Sequence, residues 1–195
     1  IIIIELYLEL MRHGSVFKMV VATAALENNT ITTKTTVNDT GIYPRGHNPA
    51  CWIYTSRHYG HGYLNVTEAI KKSCNYFFYE LGYKMGIDPV IKYAKSYGLG
   101  IKTGIELSGE SKGIVDLKDY CKETTGQEWQ FGDTLSAVIG QSYNSYTPIQ
   151  IARYTSMLAN GGKSVDVTLI KSIIDSDGNK VPKDENEKKI NEKLG

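Results

Sequence analysis

Long apolar runs and a strong excess of either charge are both missing from this 195-residue sequence. No stretch of about 18 or more consecutive apolar residues occurs, so the sequence predicts no transmembrane helix. The apolar segment at 1–4 is too short for a signal peptide and lacks the regions that flank one. The 22 basic and 21 acidic residues almost cancel and are scattered along the chain, which argues against nucleic-acid binding. A chain of this length without internal repeats would ordinarily form one domain with a sizeable core.

What the sequence does contain is a serine and a lysine three positions apart, Ser15 and Lys18. If they open the helix that is predicted from Ser15 to Glu27, both side chains share one face. A serine hydroxyl needs a neighbouring base to become a nucleophile, and a lysine shielded from water has a pKa low enough for that role. The helix N-terminus also offers unpaired backbone N–H groups to a developing oxyanion. Such tetrapeptides often arise by chance, so this pattern is weak by itself.

A second pattern, Ser73-Cys74-Asn75, lies between helices that are predicted at about 66–72 and 75–85. In a turn between two helices, the hydroxyl of Ser73 and the amide of Asn75 could face one cleft. The hydroxyl would relay a proton to a leaving amine, and the amide would bind a carbonyl and an N–H of the substrate. Ordinary turn and helix-capping roles are the alternative interpretation of both residues.

Together the two patterns resemble the active-site serine penicillin-recognising enzymes, in which S-x-x-K is followed by S-x-N and then by K-[ST]-G. Longer strings resemble the transpeptidase domain of class B penicillin-binding proteins, in the order and with the spacing of that family. They cover about residues 14–178 and are Gly14-Ser-Val-Phe-Lys-Met19, His61-Gly62, Ser73-Cys-Asn-Tyr-Phe-Phe78, Gly98-Leu-Gly100, Thr103-Gly-Ile105, Gly109-Glu110, Ile139-Gly-Gln141, Tyr146-Thr-Pro148 and Ala159-Asn-Gly-Gly162. The resemblance implies an α+β fold, with a helical subdomain and part of the sheet of a penicillin-binding or serine β-lactamase-type transpeptidase.

Three features depart from the family pattern. His13 stands where the family usually has proline, and residues 1–13 as a whole are left unassigned. The tripeptide Lys102-Thr103-Gly104 spells K-T-G, but the family motif lies on a strand much further beyond S-x-N. Lys102 is therefore predicted to be a loop residue. Residues 14–195 are expected to be an incomplete transpeptidase domain whose C-terminal strands are missing.

The resemblance implies a peptidoglycan D,D-transpeptidase, which cross-links stem peptides that end in D-Ala-D-Ala and is a target of β-lactam antibiotics. Ser15 would be the nucleophile and Lys18 its base, while Ser73 passes a proton to the leaving D-Ala and Asn75 holds the acyl donor. The resemblance also implies a glycosyltransferase partner in the cell-wall machinery and no nucleic-acid partner. The protein would sit at the outer face of the bacterial cytoplasmic membrane, anchored by an N-terminal helix outside this chain. A serine β-lactamase, a β-lactam sensor and an inactive fragment are the alternatives, and the long strings favour the synthase.

Three cysteines, an odd number, raise a separate hypothesis. Asp39, Cys51, His61 and Cys74 are of the types that bind zinc, and together they could form a structural Zn²⁺ site. Cys74 is the middle residue of S-x-N, so its side chain should point away from the cleft, and a metal there would hold the backbone of the motif. The spacing is not that of a standard zinc motif, and a Cys51–Cys74 disulfide or buried reduced thiols are the alternatives. Acyl transfer itself would need no cofactor, and Cys121 has no predicted role.

Local signals predict further elements. Asn65 with Glu68, and Thr147 with Gln150, are typical of capping boxes at the starts of two helices. Asp88 is predicted to cap a third helix, with Pro89 in its first turn, that stops at Gly98. The other expectations are a strand or extended arm at 30–37, an ordered loop over the cleft at 41–62, an irregular stretch at 99–134, a strand at 167–174 and a charged surface tail of helical tendency at 183–194.

Overall fold

Short helices dominate the part of the chain that the computed structural model describes, residues 8–181. A single turn of 3₁₀ helix, Gly14–Phe17, leads into the first α-helix. The α-helices are α1 (Lys18–Glu27), α2 (Trp52–Arg57), α3 (Val66–Lys71), α4 (Asn75–Met85), α5 (Asp88–Ser96), α6 (Leu117–Thr125), α7 (Phe131–Ala137) and α8 (Pro148–Ala159). Strands β1 (Val37–Asp39) and β2 (Gly62–Leu64) pair antiparallel, which gives the α+β class that the sequence predicts. None of these helices is long and apolar enough to span a membrane.

Helix α1 belongs to the core of the fold. Its side chains at Val20, Val21, Ala24 and Ala25 are completely buried, and the helix packs against α4 and α5. A helix that is apolar over most of its circumference is stable in water only when neighbours cover it, which is what α4 and α5 do here. Lys18, the first residue of α1, is buried along with them. The packing of α1 therefore places Lys18, the lysine of the first motif, in the core.

The predicted helix starts at residues 65 and 147 are confirmed. Asn65 accepts a hydrogen bond from the backbone N–H of Glu68, and the Glu68 carboxylate accepts one from the backbone N–H of Asn65. Thr147 and Gln150 form the same reciprocal cap at the start of α8. Asp88 differs from its prediction in one detail, because it is the first residue of α5 rather than the residue that caps it.

Several weaker predictions were wrong. Of the segment 30–37, which was expected to be a strand or an extended arm, only Val37 lies in a strand, because Thr32 and Thr35 bond to each other through backbone and hydroxyl groups and close a turn. The loop expected at 41–62 contains α2, and the irregular stretch expected at 99–134 contains α6 and α7. Residues 167–174 form no strand and pair only through an isolated bridge between Ile174 and Lys180. The helical tail expected at 183–194 lies outside the described residues.

Candidate active site

The serine and lysine of the first motif lie where the 3₁₀ turn meets α1. Because a 3₁₀ helix has three residues per turn, Ser15 and Lys18 stack on one side of it. The Lys18 Nζ lies 3.2 Å from the Ser15 Oγ. Gly14 begins the turn with a φ of +53°, a left-handed conformation that glycine adopts without strain. The structure thus brings together the two side chains that the sequence predicts as nucleophile and base.

Lys18 is buried and surrounded by hydrogen-bond acceptors. Only 2% of its surface is exposed, and its Nζ donates to the Ser73 carbonyl at 2.8 Å, to the Ser73 Oγ at 3.0 Å and to the Asn75 Oδ1 at 2.6 Å. Burial disfavours the charged amine and lowers the pKa of Lys18 from 10.5 to about 8, although electrostatic interaction with the Cys51–Cys74 pair opposes this effect in part. An appreciable fraction of the amine is therefore neutral near pH 7, as a general base requires.

Ser73 links the two motifs. It stands between α3 and α4 with a φ of +51°, which is uncommon for a residue with a side chain. This conformation accompanies the contacts of both its carbonyl and its hydroxyl with Lys18, and the Ser73 Oγ also donates to the Ser15 Oγ at 2.7 Å. Ser15, Lys18 and Ser73 consequently form a closed triangle of hydrogen bonds. The next residue to face this triangle is Asn75, the first residue of α4.

A cleft of about 390 Å³ opens beside this triangle. Its far wall comes from the turn after α7, which is fixed to the nucleophile turn because the Gly14 N–H donates to the Gly140 carbonyl at 3.2 Å. Gly140 has a φ of +77°, and a Cβ built on it would lie 1.9 Å from the Gly14 carbonyl oxygen, so only glycine fits. The cleft is lined by Gly14, Ser15, Trp52, Ser73, Asn75, Ile139 and Gln141.

Four residues of this lining carried no predicted role, and two of them, Trp52 and Gln141, have large side chains that could contact a substrate. Gln141 belongs to the string Ile139-Gly-Gln141, which marks the family resemblance but does not by itself indicate a cleft. Trp52 was missed altogether, because no motif or periodicity in its neighbourhood marks it. Its position next to the candidate ligand Cys51 is the one signal that could have drawn attention to it.

Behind the second motif, the four predicted metal ligands meet in one cluster. Their ligand atoms all lie within 4.8 Å of one another. The β1–β2 pairing explains how two of them meet, because Asp39 is opposite Gly62 and His61 directly precedes that glycine. The other two, Cys51 and Cys74, are the capping residues that precede α2 and α4. Cys74 is fully buried beside Cys51, away from the cleft, as the sequence predicts.

The distances and pKa values in the cluster suit the binding of a cation. The His61 Nδ1 lies 2.7 Å from the Asp39 Oδ2, and the Cys51 Sγ lies 3.7 Å from the same His61 nitrogen and 3.9 Å from the Cys74 Sγ. Burial alone would raise the pKa of Asp39, but hydrogen bonds from His61, Cys74 and the Gly41 N–H hold it below its usual value. A hydrogen bond from Cys74 lowers the pKa of Cys51 to about 6, and the same bond, with burial, raises that of Cys74. Cys51 and Cys74 are free thiols in this structure rather than a disulfide.

The early K-T-G tripeptide lies in a loop, as predicted, and donors of its Thr103 and Gly104 are already bonded within the chain. The Thr103 N–H and hydroxyl donate to one oxygen of Glu110 at 2.6 and 2.7 Å, and the Gly104 N–H donates to the other at 3.1 Å. Glu110 is only 6% exposed, and these bonds compensate the cost of burying its carboxylate. The tripeptide that contains Lys102 therefore binds a carboxylate of its own chain.

Known proteins with similar sequences are penicillin-binding proteins and transpeptidases. The penicillin binding protein transpeptidase domain model matches residues 9–194. A peptidoglycan D,D-transpeptidase, MrdA, of Haemophilus influenzae is 35% identical over 163 residues, which cover 82% of this chain and 24% of that protein. The MrdA protein of Escherichia coli is 34% identical over 169 residues, which cover 87% of this chain and 26% of that protein. The chain thus spans about a quarter of the length of these curated relatives.

Solved structures show the same likeness. The crystal structure of Pseudomonas aeruginosa PBP2 in complex with WCK 5153 is 31% identical with a TM-score of 0.79, over 91% of this chain and 41% of that one. A complex between penicillin-binding protein PBP2 and MreC from Helicobacter pylori contains a match that is 32% identical with a TM-score of 0.79. That match covers 96% of this chain and 34% of the other.

Proposed function

The chain belongs to the transpeptidase domain family of class B penicillin-binding proteins, and on this premise we propose that the protein containing it is a peptidoglycan D,D-transpeptidase. The proposal rests on the hydrogen-bonded triangle of Ser15, Lys18 and Ser73 at the edge of an open cleft. Because the chain spans about a quarter of its relatives, the activity is proposed for the longer protein. Residues 14–195 would be part of its transpeptidase domain, and residues 1–13 remain unassigned.

Acylation starts from the neutral form of Lys18. As the Ser15 Oγ attacks the carbonyl of the penultimate D-Ala, Lys18 accepts the hydroxyl proton across the 3.2 Å contact. The backbone N–H of Ser15, in the first turn of the 3₁₀ helix, is suited to donate to the oxyanion that forms. Asn75 holds the amide groups of the acyl donor on the opposite side of the triangle.

Collapse of the tetrahedral adduct breaks the bond to the terminal D-Ala. The leaving amine takes up a proton through the Ser73 hydroxyl, which Lys18 replenishes across the 3.0 Å contact. This leaves an ester on Ser15 and restores the neutral lysine. The amine of a second stem peptide then attacks the ester, and Lys18 accepts a proton from it. Lys18 returns that proton to the Ser15 Oγ as the ester bond breaks, so the cross-link forms and both residues regain their starting states. A β-lactam would enter the first half of this sequence and remain as a stable ester on Ser15.

The relatives support a proposal for the partners and the location of the longer protein. One solved relative is a complex with MreC, and a protein similar to MreC is the first partner we propose. Family resemblance adds a glycosyltransferase that makes the glycan strands to be cross-linked. The proposed location is the outer face of the bacterial cytoplasmic membrane, where the substrate is found, with an anchor helix outside this chain.

A structural Zn²⁺ held by Asp39, Cys51, His61 and Cys74 is part of the same proposal. Tetrahedral zinc with Zn–S bonds of about 2.3 Å places two thiolate sulfurs roughly 3.8 Å apart, and the two cysteine sulfurs lie 3.9 Å apart here. The Asp39–His61 contact of 2.7 Å would lengthen as both groups turned toward the ion. Zinc would fix Cys74 and, through it, the backbone between Ser73 and Asn75, and it would take no part in acyl transfer.

The test of the function is covalent labelling of the intact protein with a fluorescent penicillin. We expect one label per molecule, found on Ser15 by peptide mapping, and no label on Ser15→Ala. Slow release of the label identifies a transpeptidase or a sensor, whereas rapid hydrolysis would identify a β-lactamase. A second assay separates the transpeptidase from the sensor: only the transpeptidase should transfer the acyl group of a D-Ala-D-Ala peptide to an added amine. Label on another residue would refute the assignment.

The metal is tested on the same protein. We expect about one zinc per chain, and Cys51→Ser or Cys74→Ser should lower both the metal content and the Tm, because binding energy at a structural zinc site is folding energy. Cys121→Ser is the matched control, since that buried cysteine lies outside the cluster. Metal-free protein whose Tm is unaffected by a strong chelator would contradict the zinc proposal.

A further inference from the structure

Trp52 is an exposed aromatic side chain in the candidate active-site cleft. It is 44% exposed, although it lines the cleft together with Ser15, Ser73 and Asn75. Single exposed apolar residues are common on protein surfaces and need no explanation. This one differs because it stands in the cleft that contains the nucleophile.

Contacts with Lys72 and His61 hold the indole of Trp52 in place. Its Nε1–H donates to the Lys72 carbonyl at 3.1 Å, and its ring meets the His61 ring edge-to-face, with 5.6 Å between the centroids. Trp52 is also the first residue of α2, directly after the buried Cys51. An aromatic ring that is already held in one orientation loses little conformational entropy when a ligand packs on it. The exposed indole face is therefore a preorganised apolar wall.

The position of that wall indicates which part of a substrate would contact it. Lys72, to which the indole is bonded, directly precedes Ser73, so Trp52 stands beside the backbone of the second motif. Asn75, two residues further, is the side chain proposed to hold the amide of the acyl donor. A group attached beyond that amide, on the acyl side of the scissile bond, would run along the same side of the cleft.

We propose that Trp52 is a specificity-determining residue of this cleft, which binds an apolar group on the acyl side of the scissile bond. The inference rests on the proposed acyl transfer through Ser15. Trp52 donates no proton to the reaction and acts through the contact area of its ring. Its removal should weaken the complex that precedes acylation rather than slow the chemical step, because it makes the same contact in the ground state and in the transition state.

Two β-lactams that differ in one group provide the test. Benzylpenicillin carries an aromatic acyl side chain, and 6-aminopenicillanic acid has the same fused rings without it. The quantity compared is the second-order rate constant of acylation, which includes binding, for benzylpenicillin divided by that for 6-aminopenicillanic acid. In the intact protein, Trp52→Ala should lower this ratio by roughly three- to tenfold, as expected for the loss of one aromatic contact. The loss should fall on the dissociation constant of the initial complex and leave the rate of the acylation step within twofold.

Three further variants make the result specific. Trp52→Phe keeps a ring but loses the bond to Lys72, and it should retain most of the ratio. Trp52→Leu should give an intermediate ratio and serves if the alanine variant does not fold. Trp129→Phe is the control, because that tryptophan bonds to Thr134 and packs on Tyr143, outside the cleft lining, and the ratio should not change.

The outcomes separate this inference from the function on which it rests. An unchanged ratio in Trp52→Ala and Trp52→Leu, or an equal loss for both β-lactams, would overturn the specificity role while leaving the acyl transfer intact. If neither β-lactam acylates Ser15 in the wild type, the proposed function is refuted and the role of Trp52 with it. A selective loss for benzylpenicillin, rescued by phenylalanine, supports the proposal.

Discussion

Raising the pH from 6 to 9 should accelerate acylation of Ser15 along a curve that Lys18 determines. Only the neutral amine can accept the serine proton, and its pKa is about 8. The neutral fraction is then about 1% at pH 6, about 9% at pH 7 and about half at pH 8. The rate should therefore rise almost tenfold between pH 6 and 7 and level off above pH 8.

The same numbers show how much burial contributes. A lysine with the ordinary pKa of 10.5 would be neutral in only about 0.03% of molecules at pH 7. Placing Lys18 where 2% of its surface is exposed raises the population of the active base roughly 300-fold at that pH.

The assay is stopped-flow acylation of the intact protein by a penicillin, whose carboxylate stays ionised throughout this pH range. Lys18→Ala should lose several orders of magnitude in rate and the pH dependence. Lys18→Arg keeps a positive charge but cannot be deprotonated in this range, so it should lose as much as the alanine variant. A wild-type rate that is flat or falls between pH 6 and 8, or near-normal acylation by Lys18→Arg, would refute the assignment of the base.

Two further predictions concern the surroundings of the nucleophile. Lys102→Ala should leave acylation within a few-fold of wild type, because its tripeptide binds Glu110, and a loss comparable to that of Lys18→Ala would show that the third motif has been misassigned. Gly140→Ala should unfold at lower denaturant and acylate at least tenfold more slowly, because a backbone contact of 1.9 Å must be relieved beside Gly14. Gly126→Ala has a similar φ of +71° but open space around it, so it should cost about 1 kcal/mol of stability and leave acylation unchanged; equal effects in the two variants would exclude the contact as the cause.

The parts of the site that could be predicted from the sequence are those built from local geometry. Ser15 and Lys18 face each other because they are three positions apart, a spacing that places two side chains on one side of either a 3₁₀ helix or an α-helix. The caps at Asn65 and Thr147 depend on side chains within three positions of the backbone they satisfy. Residue types selected Asp39, Cys51 and Cys74, and the family resemblance of His61-Gly62 favoured His61; the fold brings all four together.

Other features depend on contacts that sequence order does not reveal. Helix α6 buries only Leu117 and Cys121, so its apolar periodicity is too weak to identify a helix. Trp52 reaches the cleft because α2 packs beside the turn at Lys72, a contact across 20 positions. Gln141 joins the same cleft through the backbone bond between Gly14 and Gly140. Each of these placements is decided by tertiary packing and carries no local signature.

The alternation of side chains along residues 73–75 has a consequence for how this chain can vary. Ser73 and Asn75 turn toward the amine, and Cys74 between them turns toward the cysteine and carboxylate behind. Two sites therefore share three consecutive residues, one site on each side of a single stretch of backbone. Inserting or deleting one residue in this turn would shift both sets of side chains from their partners. A substitution of Ser73 or Asn75 would remove a group from the cleft alone, whereas a change in length would disable both sites at once.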